Sequence, residues 1–67
     1  MLTSNKESII EYLNSEPNSN TSDISRGVAL SRSITYESLC DLEYSGIVAR
    51  SAGLDGVTLT FNWNLVN

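Results

Sequence analysis

The chain has 67 residues, enough for one domain spanning residues 1–67 but little more than a core, so a catalytic cleft would be hard to accommodate. It has no histidine and one cysteine, which excludes a structural zinc site and leaves no nucleophile–base pair for catalysis. Eight acidic and four basic residues give a net charge of −4, which disfavours strong unaided binding to a polyanion such as DNA.

Several sequence features bear on the cellular compartment of the protein and on its need for catalytic groups, cofactors or a membrane. No apolar run approaches the roughly 20 residues that span a bilayer, and the N-terminal segment MLTSNKES lacks the regions of a signal peptide. A lone cysteine fits a reducing compartment. We therefore expect a cytoplasmic protein that is not an enzyme, uses no cofactor or metal, and has neither a membrane nor a small-molecule partner.

The first predicted helix covers residues 4–15. Ser4 and Glu7 have the spacing of a capping box, in which the serine caps the first turn and the glutamate reaches back. Apolar residues follow at helical spacing. The helix ends before Pro17, because the residue preceding a proline avoids the helical region. Residues 18–20 are expected to form a polar loop.

The second predicted helix is short and covers residues 21–28. Thr21 is the expected N-cap, and Ile24 and Val28 lie four residues apart on the core side. Gly27 weakens the helix but allows another helix to pack closely against it. Arg26 is expected to be exposed, either simply solvated or as a phosphate contact, and the sequence favours neither.

The third predicted helix covers residues 33–45, with Ser31 or Ser33 as its cap and Gly46 as its stop, because glycine adopts the left-handed conformation at least cost. Helical geometry predicts two faces. Thr35, Leu39 and Leu42 form the inward face, and Ser33, Glu37, Cys40 and Tyr44 form the outward one.

The outward face of this helix is polar but not basic. Between Ser31 and Ser45 a single arginine, Arg32, stands against three carboxylates, a net charge of −2. Such a surface binds phosphates poorly, although serine, tyrosine and glutamate side chains can contact base edges in the major groove. The alternative is a plain solvated face, which the chemistry alone favours.

A β-hairpin is predicted for the C-terminal third. Residues 47–51 form its first strand, and residues 52–56 form its turn, with Gly53 and Gly56 supplying turn geometry. The turn has no lysine or arginine, so Arg50 is the nearest cation. The second strand alternates apolar and polar residues, and its apolar set is expected to pack onto the helices. That set is Val57, Leu59, Phe61 and Trp63.

The order helix, helix, turn, helix, hairpin, with the junction LCDLEYSGIVARS, resembles a winged helix-turn-helix. This is an α+β fold of three helices followed by a C-terminal β-hairpin wing. More narrowly, the segments NKESIIEYLN, NTSDISRGVALS and LCDLEYSGIVARS resemble the small fimbrial-operon regulators of enterobacteria, the PapI/FaeA-like family. The resemblance covers most of the chain, and the hairpin matches only in kind.

This resemblance implies a small cytoplasmic regulator of pilus gene transcription. Its partners would be double-stranded DNA with GATC-containing sites and the leucine-responsive regulatory protein. The third helix would enter the major groove, and two further arginines would contact flanking phosphates. The residues implied to face DNA are Arg32, Ser33, Tyr36 and Glu37, and the flanking pair is Arg26 and Arg50. The chain departs from the family in charge, because the well-known member of that family is basic on its third helix and wing.

Two other functions are compatible with the sequence. The winged helix could be a protein-interaction module that does not bind DNA by itself, with an acidic third helix and with Tyr36 and Tyr44 as anchors, since aromatic residues dominate interface energetics. A remoter possibility is a DNA mimic, for which eight carboxylates spread along the chain are few. A positive patch formed by Arg26, Arg32 and Arg50 would favour DNA binding over both.

Overall fold

The computed structural model describes residues 4–66, so residues 1–3 of the N-terminal segment and Asn67 lie outside the described part. The predicted architecture of three helices followed by a hairpin wing is confirmed. In chain order the elements are α1 (Asn5–Ser15), β1 (Ser19–Asn20), α2 (Thr21–Val28), α3 (Arg32–Tyr44), β2 (Val48–Asp55) and β3 (Thr58–Leu65).

Side-chain caps define where the helices begin. The Ser4 hydroxyl accepts a hydrogen bond from the Glu7 backbone N–H at 3.1 Å, and Ser31 accepts one from Ile34 at 3.2 Å. The predicted cap of α2 was wrong by one residue. Asn20 caps α2, and its Oδ1 accepts from the Asp23 N–H at 2.8 Å. The Thr21 hydroxyl instead accepts a hydrogen bond from the indole of Trp63 on β3.

Gly46 ends α3 in the way the sequence predicts. Its φ is +80°, in the left-handed region. The N–H of Ile47 then donates to the carbonyl of Leu42 at 2.9 Å, so a carbonyl of the last turn is satisfied as the chain leaves the helix. The chain passes directly from this bond into β2, and the wing is therefore tied closely to the end of α3.

The core lies where the three helices meet the base of the hairpin. The predicted inward face of α3 is confirmed, since Thr35 and Leu39 are fully buried and Leu42 is 2% exposed. The buried apolar cluster consists of Ile9, Leu13, Ile24, Leu39, Leu42, Val48 and Trp63.

No helix within residues 4–66 is long and apolar enough to cross a membrane.

The sheet has three antiparallel strands in the order β1-β3-β2. Residues 18–20 were predicted as a loop, but Ser19 and Asn20 form β1 and pair with Trp63 and Asn62. Two polar residues give no alternation signal, so only the partner strand makes them extended. This short strand attaches the start of α2 to the wing.

The hairpin is longer than predicted. The expected turn at 52–56 was wrong, because β2 continues to Asp55 and the loop contains only Gly56 and Val57. Gly56 has a φ of +68°, as the first position of a tight two-residue hairpin loop can require. Gly53 lies within β2, opposite Thr60.

The expectation that the whole apolar set of β3 packs onto the helices was also wrong. Trp63 is fully buried, but Val57 is 99% exposed, Leu59 is 59% exposed and Phe61 is 40% exposed. Burial along the strand does not follow the predicted alternation, because Thr60 and Asn62 are half-buried while Leu59 and Phe61 are exposed. The helices cover only the base of the hairpin, so the outer half of its apolar side faces solvent.

Candidate nucleic-acid interface

A groove of about 650 Å³ runs between the helices and the wing. One wall is formed by the start of α2 together with the first half of α3, and the other by β3. Hydroxyl groups, one guanidinium and three large apolar or aromatic side chains face it. The residues that line it are Asn20, Thr21, Ser22, Arg32, Ser33, Tyr36, Leu59, Thr60 and Phe61.

The groove brings together part of the predicted DNA-contacting set. Arg32, Ser33 and Tyr36 line it, and Glu37 is exposed one residue further along α3. Arg26 and Arg50 do not line it, so the structure does not assemble the three arginines around this groove. Its positive charge comes from Arg32. Among the side chains that the structure describes, Arg32 has no carboxylate within salt-bridge distance.

Arg26 and Arg50 are both paired with acidic residues. Arg26 is exposed on α2, as predicted, and forms a salt bridge with Asp23 one turn earlier. An exposed pair of this kind exchanges readily with solvent and contributes little to stability, so Arg26 remains accessible to a phosphate. The environment of Arg50 is different.

Arg50 links the wing to α3. Its Nε and Nη2 donate to the two carboxylate oxygens of Glu43 at 2.9 and 2.8 Å, a two-pronged ion pair. Its Nη1 lies 3.4 Å from the Tyr36 hydroxyl. The guanidinium carbon lies 4.8 Å from the ring centre of Trp63 and 5.5 Å from that of Phe61. Arg50 therefore joins α3 to both strands of the wing.

The ion pair changes the titration of both partners. The hydrogen bonds from Arg50 stabilise the charged carboxylate and lower the pKa of Glu43 below its usual 4.5. The hydrogen bonds of Arg50 to Glu43 and Tyr36 in turn raise the pKa of the guanidinium. Both groups are therefore charged at neutral pH.

This pairing predicts a pH-dependent stability difference. Because the folded-state pKa of Glu43 is lowered, its contribution is complete above 4.5 and is lost as the pH falls through the lowered value. Glu43→Gln should therefore be less stable than wild type at pH 7, and its deficit should be smaller at pH 3. Urea unfolding at both pH values measures this. Glu37→Gln, an exposed site on the same helix, is the control. A Glu43→Gln deficit that persists unchanged at pH 3 would contradict the ion-pair account.

Trp63 is buried and contacts two of the residues that line the groove, Thr21 and Tyr36. Its indole Nε1 donates to the Thr21 hydroxyl at 3.0 Å, and its ring meets Tyr36 edge to face, with ring centres 6.2 Å apart. The start of α2, the middle of α3 and β3 are thus joined through one side chain. Tyr36 is 45% exposed, so one side of its ring is held while the other faces the groove.

The sequence analysis did not identify two parts of the groove, namely the wall formed by β3 and the part formed by the start of α2. Leu59 and Phe61 were assigned to the core by their alternation, and Thr21 was assigned to a cap. Thr60 and Ser22 carry no signal that separates them from ordinary surface residues. The alternation of β3 does indicate that Leu59 and Phe61 share a face with Trp63, and this was the available clue.

The chain matches no family model and no curated protein. Solved structures do resemble it. It covers 98% of its length on the PcaV transcriptional regulator from Streptomyces coelicolor, with 22% identity and a TM-score of 0.86. It spans 46% of the PcaV chain, which is therefore about twice as long.

Two Zα domains of the protein PKZ also resemble the chain. The apo domain from zebrafish has 24% identity and a TM-score of 0.80, with 92% of this chain and 91% of that chain covered. The domain from Carassius auratus, solved in complex with Z-DNA, has 23% identity and a TM-score of 0.74, with 91% and 90% covered. At these identities the likeness concerns the fold, and the chain has the winged helix-turn-helix fold.

Proposed function

We propose that residues 1–67 form a DNA-binding domain of a transcription regulator that contacts DNA through the groove between α3 and the wing. The observation that carries this proposal is the convergence of Arg32, Ser33 and Tyr36 with the wing on one open groove. The regulator PcaV and a Z-DNA-bound Zα domain share the fold, which supports the proposal. The proposed function requires no catalysis and no cofactor, and it is exercised in the cytoplasm.

Each proposed contact has a distinct chemistry. Arg32 would bind a phosphate or a guanine edge, because its guanidinium offers paired donors. Ser33 and Glu37 would reach base edges, with glutamate accepting from cytosine N4. Tyr36 would offer the free side of its ring and its hydroxyl. Arg26 would contact a flanking phosphate after releasing Asp23.

The resemblance to the fimbrial-operon regulators implies that Arg50 is a second flanking phosphate contact. A phosphate at that position would have to displace the Glu43 carboxylate, which holds the guanidinium by two hydrogen bonds. We propose that its main role is to set the angle between the wing and α3. Binding would then depend on Arg50 even without direct contact to DNA.

The charge of the chain limits the affinity. With four cations against eight carboxylates, few phosphates are neutralised, so affinity should depend only weakly on salt. We therefore propose that binding is strengthened by a second protein. The sequence resemblance suggests the leucine-responsive regulatory protein at fimbrial operons. This finer assignment is supported by the resemblance alone.

Fluorescence anisotropy of labelled duplexes tests the proposal. The probes are a B-form duplex with GATC sites and an alternating CG duplex held in the left-handed form, each with and without the leucine-responsive protein. Titration at about 50 and 200 mM salt should give a log–log slope between about −1 and −3. Binding of either duplex supports the DNA-binding function, and the preferred duplex identifies the DNA form.

Two variants separate the groove from general charge. Arg32→Ala and Lys6→Ala each remove one positive charge, but Lys6 lies on α1 and pairs with Asp41. Arg32→Ala should weaken binding about tenfold or more, as loss of a well-placed arginine contact does, and Lys6→Ala about twofold or less. Equal losses, or no binding of wild type under any of these conditions, would overturn the proposal.

The second candidate function is a protein-interaction module. The observation that favours it is Tyr44, which is 95% exposed near the end of an acidic α3. A large aromatic side chain this exposed is a potential anchor for a protein partner. If this function is correct, Tyr44→Ala abolishes partner binding and Arg32→Ala does not, and the DNA titrations show no binding.

A further inference from the structure

The groove between α3 and the wing presents more ring and apolar surface than charge. Tyr36 is 45% exposed, Phe61 40% and Leu59 59%, and all three side chains line the groove. Among the described residues that line it, Arg32 is the one cation. A site that worked by neutralising phosphates would present several cations. The lining is therefore suited to an uncharged, planar group with a single phosphate beside it.

The two rings of the groove are fixed by contacts outside it. The ring of Tyr36 meets that of Trp63 edge to face. The guanidinium carbon of Arg50 lies 5.8 Å from the ring centre of Tyr36 and 5.5 Å from that of Phe61. Arg50 does not line the groove, so it contacts both rings without filling the space between α3 and the wing. Rings held in this way lose little freedom when a ligand stacks on them.

An unpaired base is the part of a DNA molecule that can use such rings. In a duplex, neighbouring base pairs cover both faces of each base, and only the base edges reach the grooves. An unpaired base exposes its faces, which stack on aromatic side chains, and its Watson–Crick edge, which is free to form hydrogen bonds. Hydroxyl and amide groups that can bond this edge line the same groove, on Asn20, Thr21, Ser22, Ser33 and Thr60.

Charge and size also suit this ligand. A duplex carries one negative charge per roughly 1.7 Å of its axis, and a single strand carries one per roughly 3.4 Å. A chain with a net charge of −4 is therefore repelled less by an opened segment than by paired DNA, and stacking itself requires no cation. The groove volume of about 650 Å³ lies within the range of about 300–1,000 Å³ that holds small ligands, a class that includes a nucleotide.

We propose that the groove binds an unpaired base of a locally opened DNA duplex. The base stacks on Tyr36 and Phe61, its edge bonds the hydroxyl groups of the groove, and Arg32 contacts an adjacent phosphate. This inference rests on the proposed DNA-binding function and specifies the DNA substrate. It also explains how a chain with few cations binds DNA, because stacking supplies the affinity that phosphate contacts do not.

Fluorescence anisotropy with three labelled duplexes that share the same flanking sequences tests the proposal. The first duplex has a bulge of three unpaired thymines, the second has three abasic residues in the bulge, and the third is fully paired. The two bulges have the same phosphates and differ in the presence of bases. Wild type should bind the thymine bulge at least about fivefold more tightly than either of the others, since stacking of one base corresponds to a factor of about five or more.

Two variants of one ring test where the base is bound. Phe61→Leu keeps an apolar side chain in the groove but removes the ring, and Phe61→Tyr keeps the ring. Phe61→Leu should reduce the preference for the thymine bulge over the abasic bulge to about twofold or less, and Phe61→Tyr should preserve it. A general loss of structure would weaken binding to both bulges alike. Circular dichroism verifies that both variants are folded, and the comparison of the three duplexes uses wild type alone.

The outcomes separate this proposal from the proposed function. Equal affinity for the thymine bulge and the paired duplex would overturn the unpaired-base site and leave the DNA-binding function standing. Equal affinity for the two bulges would also overturn it, because the binding would then depend on bending or charge. So would a preference that Phe61→Leu leaves intact. The absence of binding to all three duplexes would overturn both the site and the function.

Discussion

Replacing Trp63 with alanine is expected to remove most of the stability of this domain. The side chain is fully buried at the junction of β1, β3 and α3. Truncating a buried large aromatic residue costs about 3–5 kcal/mol. The free energy of unfolding of a chain this size is roughly 3–10 kcal/mol in total. Urea unfolding followed by far-UV circular dichroism measures the loss, because the variant lacks the chain's one tryptophan.

Two milder changes separate packing from hydrogen bonding at this position. Thr21→Val removes the acceptor of the indole N–H, and should cost about 1–3 kcal/mol, as an unpaired buried donor does. Trp63→Phe keeps an aromatic ring beside Tyr36 and should fall between wild type and alanine. If the free energy of unfolding of Trp63→Ala lay within about 1 kcal/mol of the wild-type value, a central role of this side chain in the core would be contradicted.

Gly27→Val is the second change with a large expected effect. A Cβ at Gly27 would overlap the ring of Tyr12, so α1 and α2 approach closely there, as the sequence predicted. Inserting side-chain atoms into a packed contact costs about 1–3 kcal/mol. Valine also loses rotamer freedom in a helix. We expect a lower urea midpoint and a lower melting temperature. The substitution alters none of the residues that line the groove.

Gly53→Ala is the matched control for this prediction. A Cβ there would lie 3.9 Å from the Thr60 Oγ1, an ordinary contact, so stability should change little. Removing the Tyr12 ring should relieve the overlap. Tyr12→Ala should therefore reduce the free energy of unfolding less in the Gly27→Val chain than in wild type. Additive losses of the two changes would refute the proposed contact between α1 and α2.

Much of the helical part could be predicted because its signals are local. A serine that caps its own helix, as Ser4 and Ser31 do, acts over three residues. Gly46 ends α3 through its own backbone conformation. The inward face of α3 follows from helical periodicity, which does not depend on what packs against it. The same periodicity placed Ser33 and Glu37 on the solvent side.

The groove and the environment of Arg50 could not be predicted in this way. Glu43 and Arg50 are seven residues apart on different elements, and Tyr36 is fourteen residues from Arg50. Nothing in the sequence marks these three as neighbours. Thr21 and Trp63 are forty-two residues apart, so the hydrogen bond that takes Thr21 away from its predicted capping role is visible only in the folded chain.

The sequence by itself determined the order of the three helices and the hairpin, and the inward face of α3, because each depends on residue spacing within one element. The tertiary structure decided how far each apolar side is covered. Phe61 and Trp63 follow the same alternation, yet one is 40% exposed and the other is fully buried. The difference arises because the helices reach only the base of the hairpin, and that reach depends on how separate elements pack together.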